Sequence, residues 1–124
     1  MESPVILVIE DLSSAPPSTV AILGEAGFRT REAATALEAI EIAREECPSL
    51  ILADMSQPDS EGWAALAALR EDPAFWSVPV ILVSGLELGE LGQKMTQVGA
   101  VDLLPKPFQP GELLRSVRHW VAQN

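Results

Sequence analysis

The chain has one cysteine, one histidine and no tyrosine among its 124 residues. The single Cys47 excludes an internal disulfide and a metal site built only from thiolates, and it fits a reducing compartment. Its place after Ala43 in a helical pattern predicts that the thiol packs in a helix interface. His119 lies in the last helical pattern, away from the acidic residues described below, so a Ser-His-Asp triad is not expected.

Long apolar runs and basic residues are also scarce. No run approaches the ~20 residues of a membrane helix. The N-terminus, MESPVILVIED, lacks the basic region and cleavage site of a secretory signal, so a cytoplasmic protein is expected. Eight basic residues against 18 acidic ones give a net charge of -10, which predicts repulsion from nucleic acid and anionic membranes. Hydrophobic segments recur without a repeat or linker, which predicts a single domain over residues 1–124.

Five short segments have the character of strands in a parallel sheet. Segments with apolar residues at helical spacing alternate with them. This alternation predicts an α/β fold in which helices cover both faces of the sheet, with right-handed crossovers. The predicted strands are Val5 to Ile9, Arg29 to Ala33, Leu50 to Ala53, Val80 to Val83 and Val101 to Leu104.

Several residues mark the ends of the predicted helices. Thr35 with Glu38 forms the pattern of a capping box at a helix start. Gly27 and Gly99 are suited to end helices in the left-handed conformation, and Pro110 suits a first helical turn.

Polar residues follow four of the predicted strands. Glu10 and Asp11 follow the first strand, Asp54 the third and Ser84 the fourth, and Lys106 lies just past the fifth. Each residue taken singly fits a turn, a cap or a solvated surface, but together they meet at the edge where α/β sheets bind ligands. Gathered carboxylates require a raised pKa or a bound cation. Oxygen ligands without histidine or thiolate favour magnesium over zinc.

Four stretches of the chain resemble the receiver family of two-component response regulators. They are ILVIED, LILADMSQPDSEGWAAL, VPVILVSG and GAVDLLPKPFQPGELL. The spacing is also similar, with 43 positions from Asp11 to Asp54, 30 from Asp54 to Ser84 and 22 from Ser84 to Lys106. The resemblance implies a flavodoxin-like, doubly wound, five-stranded parallel sheet in the order 2-1-3-4-5 with five helices.

The same resemblance implies a role for each residue at the strand ends and a cis peptide between Lys106 and Pro107. Asp54 would be the phosphoacceptor. The implied magnesium ligands are Glu10, Asp11, Asp54 and the Ser56 backbone carbonyl, and the implied phosphoryl-binding residues are Ser84, Gly85 and Lys106. Because the only histidine is His119, the phosphoryl group would come from outside, from a histidine kinase or a histidine phosphotransfer protein.

The sequence departs from the family pattern at positions that the resemblance assigns to the signalling surface. Leu103 stands where family members often have Tyr or Phe, so an aromatic switch coupled to Ser84 would lack its aromatic side chain here. Gly89 and Gly92 weaken the fourth helical segment. The resemblance implies a signalling surface on that side of the fold, which includes Leu103, Leu91 and Met95. Apolar residues there suit a downstream protein target, an output domain or a homodimer.

Three functions compete at this point. The first is a phosphorylation switch, which is not a turnover enzyme because it modifies only itself. The second is an interaction module that keeps the fold without using phosphate. The third, an aspartyl-phosphate hydrolase, is disfavoured because Ser56 stands where such enzymes have a second acid.

Overall fold

The computed structural model describes residues 4–10, 19–55, 61–85 and 95–122. Its five strands form one parallel sheet in the order β2-β1-β3-β4-β5, which confirms the predicted fold class and strand order. All five strands also lie where the sequence predicts them, to within one or two residues at each end. The strands are β1 (Val5–Glu10), β2 (Arg29–Ala33), β3 (Leu50–Met55), β4 (Val80–Ser84) and β5 (Ala100–Pro105).

Helices connect these strands and cover the sheet. A 3-10 turn, Pro73–Phe75, lies between the third helix and β4 and has no counterpart in the sequence prediction. No helix of the described residues combines the length and apolar character needed to cross a membrane. The helices are α1 (Thr19–Glu25), α2 (Ala36–Glu45), α3 (Glu61–Arg70), α4, of which residues 95–98 are described, and α5 (Pro110–Ala122).

The alternation of side chains along each strand gives the sheet two apolar faces. In β1, Leu7 and Ile9 contribute to a core under α2, α3 and α4. Ile6 and Val8 contribute to a second core, under α1 and α5. The central strands are buried on both sides, which explains why they are almost continuously apolar in sequence.

β5 differs from the central strands because it is an edge of the sheet. Val101 is 42% exposed and only Leu104 of the strand is buried, although the sequence of the strand resembles that of a buried strand. Asp102 connects this strand to α5. Its Oδ2 accepts hydrogen bonds from Ser116 Oγ at 2.8 Å and from Trp120 Nε1 at 3.1 Å.

The predicted helix ends are confirmed. Thr35 caps α2, its hydroxyl accepting from the Glu38 amide at 3.2 Å. Gly27 and Gly99 have φ angles of 93° and 65°, a region that L side chains avoid. α5 begins at Pro110, as predicted.

The predicted packing of Cys47 is wrong. α2 ends at Glu45, so Cys47 falls outside the helical repeat that suggested a buried position. Its side chain is exposed, and Sγ lies 3.8 Å from the Pro48 carbonyl oxygen.

Candidate functional site

Parallel pairing brings three of the predicted site residues to one edge of the sheet. Glu10, the last residue of β1, pairs in register with Asp54 on β3. Ser84, the last residue of β4, pairs with Met55 on one side and with Pro105 on the other. Because all strands run the same way, their carboxyl ends form a single edge, where the sequence predicts the site.

Asp54 is the most buried of the acids described at this edge, with 4% of its surface exposed. The Lys106 ammonium lies 2.7 Å from Asp54 Oδ1. Apart from this ion pair, no hydrogen-bond donor of the described residues reaches Oδ1. Such a buried carboxylate oxygen is costly to desolvate, so the site favours a cationic or hydrogen-bonding occupant.

The backbone turn after β5 places Lys106 opposite Asp54. The Lys106 amide donates to the Ser84 carbonyl at 2.9 Å, and the peptide between Lys106 and Pro107 is cis, as the resemblance implies. Lys106 therefore follows β5 closely enough to reach across β4 to the end of β3.

Glu10 has an unusual electrostatic environment. Burial raises its pKa from 4.5 to about 7, helped by a hydrogen bond to the Glu32 side chain and by the charge of Asp54. Thr19 opposes these effects, since its hydroxyl donates to Glu10 Oε1 at 3.2 Å. The raised pKa of Glu10 thus reflects its burial first and the neighbouring acids Glu32 and Asp54 second.

Ser84 and Gly85 lie beside Lys106. Ser84 is almost completely buried, at 1% exposure. A Cβ atom at Gly85 would contact only Lys106 Cβ, at 3.9 Å, so the described residues leave room for a small side chain. The packing of the described residues therefore does not require glycine at this position.

Three predicted site residues, Asp11, Ser56 and Leu91, lie outside the described residues. The other two members of the predicted signalling surface, Leu103 and Met95, are both partly buried and pack against the core under α2, α3 and α4. Leu103 pairs with Leu82 on the neighbouring strand. These positions connect the sheet to α4, and their role in signalling stays a prediction.

The residues at the edge fit a magnesium ion. Within the described ranges no three acidic, cysteine or histidine side chains are grouped closely enough to form a complete metal site. However, the strand pairing places the Glu10 and Asp54 carboxylates side by side at this edge, and the charge of Asp54 contributes to the raised pKa of Glu10. Hard oxygen ligands of this type suit Mg²⁺, which retains several waters and needs few protein ligands.

The sequence did not indicate that Thr19 and Glu32 act on the Glu10 carboxyl group. Glu32 lies on β2, and strand pairing brings it next to β1. Thr19 is the first residue of α1 and is almost fully buried. Neither residue is adjacent to a site residue in sequence, and only a prediction of strand pairing and helix placement could have found them.

A separate groove of about 380 Å³ lies at the opposite end of the sheet, where β4 and β5 begin. Its walls include Arg70, Trp76, Val101 and Trp120. It contains none of the predicted site residues. The chemistry of the strand ends, and not the presence of a groove, therefore identifies the candidate site.

Together, the fold and the site define a class: a doubly wound parallel α/β protein with a buried aspartate facing a lysine at the carboxyl ends of its strands. The family model for the response regulator receiver domain matches residues 6–118. The chain belongs to this family, the receiver domains of two-component response regulators.

Individual relatives agree with this assignment. The response regulator Rre1 of Synechocystis is 33% identical over 121 residues, which cover 95% of this chain and 52% of the relative. The probable transcriptional regulator ycf27 of Porphyra purpurea is 33% identical over 115 residues, which cover 91% of this chain and 45% of the relative. The chain thus spans about half the length of these relatives.

Two solved structures have the same fold over nearly the whole chain. The receiver domain of a sensor histidine kinase from Pseudomonas aeruginosa, with a magnesium ion in its active site cleft, is 27% identical with a TM-score of 0.82 and covers 98% of this chain and 99% of its own. The chemotaxis response regulator CheY4 of Vibrio cholerae is 25% identical with a TM-score of 0.79 and covers 96% and 99% of the two chains.

Proposed function

We propose that residues 1–124 form a single cytoplasmic receiver domain that accepts a phosphoryl group on Asp54 in a magnesium-dependent reaction. The donor is a histidine kinase or a histidine phosphotransfer protein. The observation that carries this proposal is the buried Asp54 carboxylate, whose Oδ1 lies 2.7 Å from Lys106 Nζ and has no further donor among the described residues.

The chain's own residues suit this transfer. A bond forms between an Asp54 carboxylate oxygen and phosphorus while the P–N bond of the donor phosphohistidine breaks, and the electron pair stays on the imidazole. Lys106 is near enough to neutralise charge on the transferred group. Ser84 and Gly85 contribute hydrogen-bonding capacity and space beside it. The chain modifies only itself, so it is a phosphoacceptor and not a turnover enzyme.

The proposed magnesium ligands are the Glu10, Asp11 and Asp54 carboxylates and the Ser56 carbonyl. When bound, Mg²⁺ supplies positive charge that stabilises the transferred phosphoryl group. Glu10 releases its proton when it becomes a ligand, because a carboxylate binds Mg²⁺ in its ionised form. Thr19 orients Glu10 through its hydrogen bond.

Phosphorylation of Asp54 changes the local charge and favours a conformation that a partner recognises. We place the responding surface around Leu103, Leu91 and Met95, and the partner is a downstream target protein, an output domain or a second copy of the chain. The name of the ycf27 relative, a probable transcriptional regulator about twice as long, supports an output domain. The net charge of -10 makes nucleic acid and anionic membranes poor partners for the chain itself.

The first test is the intact mass of the protein after incubation with magnesium and acetyl phosphate. Wild type is expected to gain one phosphoryl group only when magnesium is present, and Asp54→Ala is expected to gain none. Asp72→Asn is a matched control, because Asp72 caps the 3-10 turn and is not among the predicted site residues. A magnesium-independent gain, or an equal gain in Asp54→Ala, contradicts the proposal.

The alternative is an interaction module that signals without phosphate. The packing of Leu103 against the core, in place of an aromatic side chain, is the observation that favours it. A folded wild-type protein that binds magnesium but gains no phosphoryl group would support this alternative.

A further inference from the structure

Thr19, the first residue of α1, is a buried hydroxyl residue in contact with the candidate site. It is 1% exposed, and its hydroxyl donates to Glu10 Oε1 at 3.2 Å. A threonine hydroxyl has a single hydrogen to donate, so this donor is committed to Glu10. Thr19 lies outside the four stretches that resemble the receiver family, so the resemblance assigns it no role.

The alternation of side chains along the strands brings Glu10 and Asp54 to the face of the sheet that α1 covers. The residues of β1 and β3 that pack on this face under α1 and α5 are Ile6, Val8, Leu50 and Leu52. Glu10 and Asp54 each continue this alternation by two positions, and they pair in register. Thr19 therefore approaches Glu10 from the helix that lies over both carboxylates.

Glu10 has a second neighbour, Glu32 on β2, whose side chain forms a hydrogen bond with it. A hydrogen bond between two carboxyl groups requires that one of them is protonated, because an ionised carboxylate has no donor. A carboxylate ligand binds Mg²⁺ in its ionised form. When both acids are ionised, Thr19 can still donate to Glu10, whereas Glu32 cannot. Of these two neighbours, Thr19 is the one that can hold Glu10 as a metal ligand.

The hydrogen bond from Thr19 restricts the Glu10 side chain before an ion binds. A glutamate side chain has several rotatable bonds, and ordering them costs conformational entropy. Because Oε1 is already held, less of this cost falls on metal binding. Loss of a residue that orients a metal ligand typically weakens metal binding by about tenfold to a hundredfold. For one neutral donor we expect the lower end of this range, about tenfold.

We infer that Thr19 is a positioning residue through which α1 orients Glu10 and thereby raises the magnesium affinity of the site. This inference rests on the proposed function, because it takes Glu10 to be a magnesium ligand. It adds a determinant of affinity that lies on α1 and makes no contact with the ion itself.

A magnesium titration without a phosphodonor tests the inference, with the amide NMR shifts of β1 and β3 as the readout of the dissociation constant. At pH 8 the dissociation constant of Thr19→Val is expected to be about tenfold larger than that of wild type, because valine keeps the shape of threonine without the hydroxyl. Thr19→Ser keeps the hydroxyl and is expected to stay within about twofold of wild type. Thr30→Val is the matched control, since Thr30 is a half-buried residue of β2 outside the predicted site, and it is expected to match wild type.

A double substitution distinguishes a positioning role from a merely structural one. Thr19→Val is expected to weaken magnesium binding in wild type but to cause no further loss in Glu10→Gln, because its effect passes through the Glu10 carboxylate. An equal loss in both backgrounds overturns the inference, as does a Thr19→Ser variant that binds as weakly as Thr19→Val. If Thr19→Val does not fold, Thr19→Ala takes its place in the same comparisons.

The titration also separates this inference from the proposed function. Wild type and Thr19→Val that bind magnesium equally tightly overturn the role of Thr19 and leave the magnesium-dependent switch intact. A folded wild-type protein that binds no magnesium refutes the proposed magnesium dependence together with the role of Thr19.

Discussion

The raised pKa of Glu10 makes the stability of the metal-free protein depend on pH, and Glu10→Gln isolates that dependence. Glu10 in the folded protein holds its proton up to about pH 7, against 4.5 for an ordinary glutamate. Between these values the folded state binds more protons than the unfolded chain. The free energy of unfolding therefore falls as pH rises through this window. Glutamine is neutral at every pH. The free energy of unfolding of Glu10→Gln should therefore fall less than that of wild type as the pH rises from 4.5 to about 7.

The magnitude follows from the two pKa values. A rise from 4.5 to about 7 corresponds to an upper bound of about 3 kcal/mol. Glu10 is only partly buried, and solvent screens its interactions, so we expect about 1–2 kcal/mol. Without metal at pH 8, Glu10→Gln should be more stable than wild type by that amount, and the difference should vanish near pH 4.5.

Urea unfolding in the presence of a chelator, followed by tryptophan fluorescence from pH 4.5 to pH 8, measures this difference. Added magnesium at pH 8 should reduce or reverse the stability difference between the two proteins. Wild type keeps the Glu10 carboxylate, so it should bind the ion more tightly and be stabilised more by it. Glu41→Gln, which removes an exposed carboxylate of α2, is the control and should follow wild type. Parallel pH profiles for wild type and Glu10→Gln would refute the reasoning.

Four further substitutions test individual contacts and backbone conformations. Lys106→Met should slow phosphorylation by about a hundredfold in a mass time course, because it removes the charge beside Asp54; an unchanged rate would contradict its proposed role. Asp102→Ala should lower the free energy of unfolding by ~2–3 kcal/mol in urea, since it removes the acceptor that joins β5 to α5. Gly99→Ala should destabilise by ~1–2 kcal/mol because of its positive φ, whereas Gly24→Ala, in α1 with no atom within 4 Å of the added Cβ, should stabilise by ~0.5–1 kcal/mol. Equal effects of the two glycine substitutions would contradict the conformational explanation.

The sheet was predictable because its determinants are local. Central strands such as Leu50–Met55 are apolar on both faces, and Gly27 and Pro110 mark helix ends through their own backbone preferences. Cys47 was misplaced because an apolar repeat does not show where a helix stops. The exposure of β5 depends on its position at the edge of the sheet, and that position entered the prediction only through the resemblance to the receiver family.

The site was predictable to the extent that its residues directly follow strands. Glu10, Asp54, Ser84 and Lys106 meet because parallel strands end at one edge. Glu32 reaches Glu10 only through strand pairing. The Arg70 guanidinium, which donates to backbone carbonyls spread over residues 75 to 99, was also overlooked, since an arginine at a helix end usually indicates a solvated residue.

The most direct test of the central claim is to locate the phosphoryl group within the chain. Reduction with borohydride converts an aspartyl phosphate into homoserine, which peptide mass spectrometry assigns to a position. We expect homoserine at position 54, formed only after incubation with magnesium and a phosphodonor. Homoserine at another aspartate, or none in a folded protein that binds magnesium, would contradict the assignment of Asp54 as the phosphoacceptor.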